Sequence, residues 1–183
     1  MSNKPNKFHD LETEWETPQE LFSIIDRTYH FDIDVCATRL NTKCSRYWDV
    51  VDNGLEQDWQ KLKCWCNPPF DNRIKSWVKK AYTEVQKDEL ISTNPTIVVC
   101  LLPVHTDTQW WHDYVAKARI LYFLRGRLRF TNRSVPGYQK NGSFKVLSAP
   151  FPSVIAVFRR STYRQFVFHW DWRNNGFLCN PNF

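Results

Sequence analysis

The run Thr96-Ile97-Val98-Val99-Cys100-Leu101-Leu102 carries no charge and is apolar on both of its faces. A strand of this kind is central and parallel in its sheet, and a parallel sheet needs helices over both faces. The remaining sequence supplies them. Leu21, Phe22, Ile24, Ile25 and Tyr29 fall at helical spacing behind Thr17-Pro18-Gln19-Glu20, a capping box with proline at the first helical position, so a helix is expected from about Pro18 to Tyr29. Ile74, Trp77, Val78, Ala81 and Val85 form a second apolar stripe, on a helix capped by Asp71 or Asn72 and reaching about Lys87. A third helix, capped by Thr106, is expected to run to about Ala116.

Strands are expected at Phe31–Ala37, weakly at Ser45–Trp48, and at Lys63–Cys66, where Asn67-Pro68-Pro69 imposes a stop. Strand and helix alternating at this spacing predict βαβ units, an α/β fold of the Rossmann-like kind with a mostly parallel sheet and helices on both faces. Past Asp113 the long helices cease. Ile120–Leu124, Leu128–Phe130 and Ser153–Phe158 read as strands that close the sheet in antiparallel fashion toward the C-terminus. The polar and basic stretch 131–148, with turn signals at Pro136-Gly137 and Asn141-Gly142, reads as an inserted loop. The aromatic tail from Tyr163 to Phe183 has no assignable element.

At 183 residues the chain is expected to form one domain, with 1–14 as an N-terminal tail. It has neither an apolar signal core nor a run of the ~20 apolar residues that a membrane span needs. A cytoplasmic location follows as the expectation, with no membrane and no obligate protein partner, and with the six cysteines as reduced thiols. Only Cys64-Trp65-Cys66 brings two cysteines close, which suits a buried strand better than a metal site, and no metal is expected.

Charge is unevenly placed. Residues 1–113 hold 13 Lys and Arg against 18 Asp and Glu, a balance of −5, whereas residues 114–170 hold 11 against none. Ordinary surfaces intersperse both signs, so an acid-free stretch of this length points to a polyanionic partner, foremost nucleic acid. Arg125, Arg127 and Arg129 alternate and would share one face of a strand, while Arg133, Lys140 and Lys145 lie in the inserted loop. These six are the candidate nucleic-acid-binding residues.

Ligands of parallel sheets sit at the carboxyl ends of the strands, where three polar segments fall: Asp34–Ala37, Asn67–Phe70 and Pro103–Asp107. In Asn67-Pro68-Pro69-Phe70 the two prolines fix the backbone and remove two donors, leaving the carbonyls of Asn67 and Pro68 and the Asn67 amide oxygen as acceptors suited to an amino group. Phe70 offers a ring on which a base can stack. His105, Asp107 and His112 read as solvated positions flanking a helix start rather than as a relay.

Asn67-Pro68-Pro69-Phe70 at a strand end resembles the (D/N/S)PP(Y/F/W) motif of S-adenosylmethionine-dependent DNA amino-methyltransferases. Trp15–Phe22, Phe31–Ala37, Asn41–Cys44, Asp52–Trp59, Trp65–Phe70, His105–His112, Phe123–Phe130 and Ala149–Ser153 together are similar to the phage Dam-type DNA adenine methyltransferases, over about 15–159. The resemblance implies catalysis by Asn67, Pro68, Pro69 and Phe70 on a base flipped out of duplex DNA. It implies cofactor contacts from Trp15, Thr17 and Pro18 at the methionine end, from Asp34, Cys36 and Ala37 after the first strand, from Asp49 or Asp52 on the ribose and from Asp58 near the adenine, with Asn67 shared. One departure stands out: the glycine-rich loop common after the first strand of methyltransferases is missing, and the first glycine is Gly54. Two alternatives remain open, a cytosine 4-amino methyltransferase of the same fold and a basic DNA-binding module without catalysis.

Overall fold

The computed structural model describes residues 15–131 and 146–174. In chain order the elements are α1 (Gln19–Tyr29), β1 (Ile33–Asp34), β2 (Lys63–Cys66), α2 (Ile74–Gln86), β3 (Ile97–Pro103), α3 (Gln109–Asp113), a 3-10 turn (Val115–Lys117), β4 (Ile120–Leu124), β5 (Arg129–Thr131), β6 (Val146–Ser148), β7 (Ser153–Phe158) and β8 (Phe166–Trp170). Six strands form one sheet in the order β1-β2-β3-β7-β4-β8, and β5 pairs with β6 in a separate ribbon.

Five of the six strands run the same way. β1, β2 and β3 are mutually parallel, β7 is antiparallel to both β3 and β4, and β8 is parallel to β4. The antiparallel strand expected in the C-terminal part is β7, and it lies inside the sheet. β4 joins the parallel set, contrary to the expectation that the strands past Asp113 would be antiparallel. Leu128–Phe130 belongs to the ribbon at the β5 position instead of the main sheet.

β3 is where both cores meet. Val98, Cys100 and Leu102 face one layer, with Trp77, Val78, Ala81 and Val85 of α2 and Trp111 of α3. Val99 and Leu101 face the other, with Leu21, Phe22, Ile25 and Tyr29 of α1 and with Tyr122, Phe130 and Trp170. Side chains alternate across a strand, so a run apolar at every position is what two covered faces require. The unplaced tail provides the edge strand β8, in which Phe166, Phe168 and Trp170 recur at every second residue and Phe168 stacks on Tyr122 at 5.3 Å.

Several local expectations are corrected by the structure. The Thr17 capping box does not form: Pro18 occupies the cap position, and among the described residues no side chain caps α1 and the buried Thr17 hydroxyl has no hydrogen-bond partner. Thr106 does not cap α3, which starts after Thr108 and spans only five residues. α2 starts after Arg73, whose backbone N–H and guanidinium are both held by the Asp71 carboxylate. The strand read at Phe31–Ala37 contracts to Ile33–Asp34 because the Asp34 carboxylate turns into the following loop. The weak strand at Ser45–Trp48 survives as a bridge between Asp34 and Tyr47.

Leu101 is fully buried in this double-sided core. Leu101→Ala is expected to lower the unfolding free energy by about 2–5 kcal/mol, through lost burial and a residual cavity. Urea denaturation checks this, and a change below about 1 kcal/mol would mean that β3 is not the shared centre.

Candidate active site

All five parallel strands end at one edge of the sheet, and β7 begins there. The register pairs Cys66 with Cys100 and Pro103 with Ser153, so the segments after β2 and β3 and before β7 are neighbours. Val104 N–H donates to the Pro152 carbonyl at 2.9 Å, tying two of these segments together.

Asn67 follows β2 directly. Its amide nitrogen donates to the Trp15 carbonyl, which fixes the orientation of the side chain, since only the NH2 end can face a carbonyl oxygen. The opposite end, Asn67 Oδ1, is buried and has no hydrogen-bond partner among the described residues. A buried acceptor left unpaired costs on the order of 1–3 kcal/mol, so such atoms in folded proteins call for an explanation, and a ligand donor provides one. Pro68 is buried behind it.

Phe70 meets Phe151 edge-on at 5.3 Å and Phe130 at 6.0 Å, and Trp15 meets Phe130 at 5.3 Å and Phe151 at 6.2 Å. His105 packs edge-on against Phe151 at 6.1 Å. An aromatic wall therefore stands beside the Asn67 amide. Its members, Trp15, Phe70, His105, Phe130 and Phe151, come from five separated segments, and only Phe70 is identified from the sequence as a stacking residue.

Asn67 also borders a cavity of about 260 Å³. Trp15, Cys36, Ala37, Asn67, Pro68 and Pro69, all read as site residues from the sequence, line it together with Asn41, Trp48, Asp49, Gly54 and Trp77. Thr17 and Asp34 border an adjoining space of about 10 Å³, with Asn67 and Trp65 also on its wall, room for about one water-sized group. Thr17 Oγ1, Trp65 Nε1 and Asn67 Oδ1 are each buried without a partner among the described residues, which concentrates unsatisfied polar atoms around this one point.

The Asp34 carboxylate is committed to the protein. Oδ1 accepts from Cys36 N–H at 3.4 Å and Oδ2 from Lys43 N–H at 3.1 Å, folding the 36–43 loop around it. Burial raises its pKa to about 6, against the opposing pull of those two N–H groups and of the Lys43 charge. The Lys43 ammonium is itself buried against Glu16 at 2.9 Å, so the Trp15–Thr17 segment is fastened to the loop by an ion pair. Asn41 accepts from Thr38 N–H at 2.6 Å and completes the loop. No glycine-rich turn is needed, because a carboxylate organises this backbone.

Of the two aspartates offered for a ribose, the structure places Asp49 on the cavity wall and Asp52 outside it, exposed, with its carboxylate accepting Asp49 N–H at 3.0 Å. Asp58 is exposed and caps Gln60 N–H at 3.1 Å, away from the cavity. Pro18 lies at the start of α1 and on neither wall. Arg125, Arg127 and Arg129 do not share one strand: Gly126, at φ 77°, breaks the chain after β4, and only Arg129 belongs to β5. Arg127 and Arg129 are exposed on either side of buried Leu128, while Arg125 pairs with Asp171 at 2.8 Å. Arg133, Lys140 and Lys145 lie outside the described residues.

Trp48, Trp77 and Gly54 are among the wall residues given no site role from the sequence. Gly54 had a signal, being the first glycine in a chain without a glycine-rich loop. A Cβ there would lie 2.2 Å from the Val35 carbonyl oxygen and 3.2 Å from Trp77. Its own carbonyl accepts from Trp59 Nε1 at 2.8 Å, and Trp59 stacks on Trp77 at 6.3 Å.

An open, mostly parallel sheet with its cavity at the carboxyl ends, and an Asn-Pro-Pro-Phe turn whose buried acceptor has no partner among the described residues, define the methyltransferase class of α/β domains. The comparisons narrow this. The family model described as DNA N-6-adenine-methyltransferase (Dam) matches residues 1–181, and the chain belongs to that family. It is 32% identical over 135 residues to a DNA N-6-adenine-methyltransferase of Haemophilus phage HP1, covering 72% of this chain and 74% of that protein. It is also 30% identical over 114 residues to a DNA N-6-adenine-methyltransferase of Escherichia phage T1, covering 61% of this chain but 43% of that one.

Two outcomes follow from this geometry. Asn67→Asp, although allowed by the general motif, sets a carboxylate against the Trp15 carbonyl in place of a donor, and is expected to lower the methyl-transfer rate by at least about 100-fold at neutral pH, or ~2.7 kcal/mol. A variant within about threefold of wild type would show that the Trp15 contact does not set the orientation. Gly54→Ala must displace the Val35 or Trp77 side of the cavity, and calorimetry with S-adenosylmethionine should register an affinity loss of about tenfold or more.

Proposed function

We propose that this chain transfers a methyl group from S-adenosylmethionine to the 6-amino group of adenine in DNA. The observation that carries the reading is Asn67 Oδ1, a buried and orientation-locked acceptor, unpaired among the described residues, on a side chain that borders both a cavity and an aromatic wall. An exocyclic amine fits there because its two hydrogens need two acceptors, Asn67 Oδ1 and the Pro68 carbonyl.

The residues present fit the cofactor. Thr17 Oγ1 and Trp65 Nε1, both unpaired, would hold the methionine end; Asp49 would accept hydroxyl donors of the ribose; Trp48 and Trp77 would flank the flat adenine. When bound, the cofactor supplies an electrophilic sulfonium methyl. The chain supplies alignment and electrostatics. An aromatic amine is a weak nucleophile because its lone pair is delocalised into the ring. Acceptors on both hydrogens favour the pyramidal geometry in which the lone pair is freed, and they stabilise the positive charge that grows on nitrogen as the N–C bond forms and the S–C bond breaks. The surplus proton leaves the nitrogen for solvent afterwards. No general base is needed for bond formation.

A base within a duplex cannot reach this turn, so the target is flipped and stacked against Phe70, with Phe151 and Trp15 closing the pocket. Arg127 and Arg129 on the same edge would take phosphates of the flanking DNA. The names of the relatives support adenine as the target.

The test is incubation with tritiated S-adenosylmethionine and mixed-sequence duplex DNA, followed by digestion to nucleosides. Label in 6-methyladenosine is expected. Label in 4-methylcytosine would transfer the same geometry to cytosine, and cofactor binding without label in DNA would leave a binding module.

A further inference from the structure

The acid-free stretch does not deliver all its charge to the active-site edge. β4 and β8 run toward that edge and β7 runs away from it, so the residues before β4, after β7 and before β8 gather at the opposite edge. Lys117, Arg119, Arg159, Arg160 and Arg164 are those residues. Between them is a cavity of about 110 Å³, lined by Arg119, Arg159, Arg160, Ser161, Thr162 and Tyr163 among others.

Arg119 is only 7% exposed, yet among the described residues no carboxylate pairs with it, with Arg159 or with Arg160. Its guanidinium lies 4.5 Å from the Phe166 ring centre and 5.4 Å from that of Tyr163, and donates to the Arg164 carbonyl. Burial, and then the neighbouring Arg159 charge, pull its pKa below the usual arginine value. Arg160 is fixed by the carbonyls of Gln86 at 2.5 Å and Asp88 at 2.6 Å, while the Asp88 carboxylate is turned to Thr96 at 2.5 and 2.9 Å. Two arginines are thus held in position by carbonyls and rings, with their charge left uncompensated beside a third. Like charges packed together and partly removed from water are costly unless an anion joins them.

We propose that this far-edge pocket binds a phosphate of a nucleic-acid backbone, giving the domain a second DNA contact apart from the methyl-transfer site. The guanidinium groups would supply charge-assisted donors to the phosphate oxygens, and the Ser161 and Thr162 hydroxyls neutral ones. A polyanion suits the pocket better than a lone phosphate because exposed Lys117 and Arg164 extend the positive surface beyond it. β3, at ~3.3 Å per residue, separates the two edges by roughly 20 Å, so a duplex lying across the active-site edge does not also fill this pocket. The inference rests on DNA being the substrate.

The test uses the full chain and an excess of a labelled duplex of about 8 base pairs, ~27 Å long, followed by sedimentation at low salt. Two duplexes per chain are expected for the wild type and one for Arg159→Ala/Arg164→Ala, whose methyl transfer to mixed-sequence DNA stays at the wild-type rate. Inorganic phosphate should displace the second duplex before the first. One duplex on the wild type, or two on the variant, overturns the proposal. Phosphate binding that the variant loses, without any second duplex on the wild type, would make this a site for free phosphate and overturn the DNA assignment. Failure of the wild type to methylate any DNA strikes the substrate reading instead, because the duplex count is read independently of turnover.

Discussion

The parallel pairing of β2 with β3 holds the site together. Its register sets Cys66 beside Cys100, and the pairing of β3 with β7 sets Pro103 beside Ser153, so three chain segments that differ by up to about ninety positions leave or enter the sheet side by side. Asn67 inherits its place from that register, since it is the next residue after β2. A slip of one residue would turn its side chain to the other face of the sheet and break both cores, which share β3. The rigidity of the Asn67–Phe70 turn is therefore borrowed from apolar burial several residues away. The prolines only preserve it past the strand end.

Around this frame the site is completed by contacts that cross the sequence. The Trp15 carbonyl orients Asn67, the Glu16–Lys43 pair pins the segment that carries that carbonyl, and the Asp34 carboxylate shapes the loop to which Lys43 belongs. These form one chain of dependence, from a buried carboxylate to the orientation of one amide. Removing any of them leaves a buried polar group unpaired, which is more costly than the contact itself is worth. The same economy explains the missing glycine-rich turn: Asp34 uses two oxygens to draw in backbone N–H groups that a tighter turn would otherwise arrange, and Gly54 appears instead where the 50s loop passes the Val35 carbonyl.

Much of this was legible in the sequence, for reasons that can be named. β2, β3, α1 and α2 lie within three residues of their expected limits because burial is periodic and proline is a hard stop. The Asn67–Phe70 turn was legible because its chemistry is local. What escaped was decided by tertiary partners. Thr17 has the form of a helix cap, but its hydroxyl faces inward, where the other unpaired polar groups are. Arg125, Arg127 and Arg129 alternate as a strand would, yet Gly126 takes a positive φ and divides them. Asp49 and Asp52 are indistinguishable as letters, and only the fold of their loop sets one on the cavity wall. Trp48 and Trp77 looked like ordinary core. β8 had a readable signal, aromatic residues at every second position, in a tail too rich in aromatics for the pattern to stand out.

The position of β7 bears on how the molecule comes into being. It is an interior strand, yet its partners in β3 precede it by 50 to 60 residues, as Pro103 with Ser153 and Val98 with Phe158 show. During synthesis β3 and β4 emerge first, each with an unpaired edge and an apolar face on either side. They can neither join each other correctly nor seal the two cores until Phe158 has left the ribosome. Pairings so distant in sequence slow folding and prolong the exposure of sticky edges. The order of the strands thus makes closure of the sheet wait for β7, a strand synthesised some fifty residues after β3, which enters as the wedge between β3 and β4.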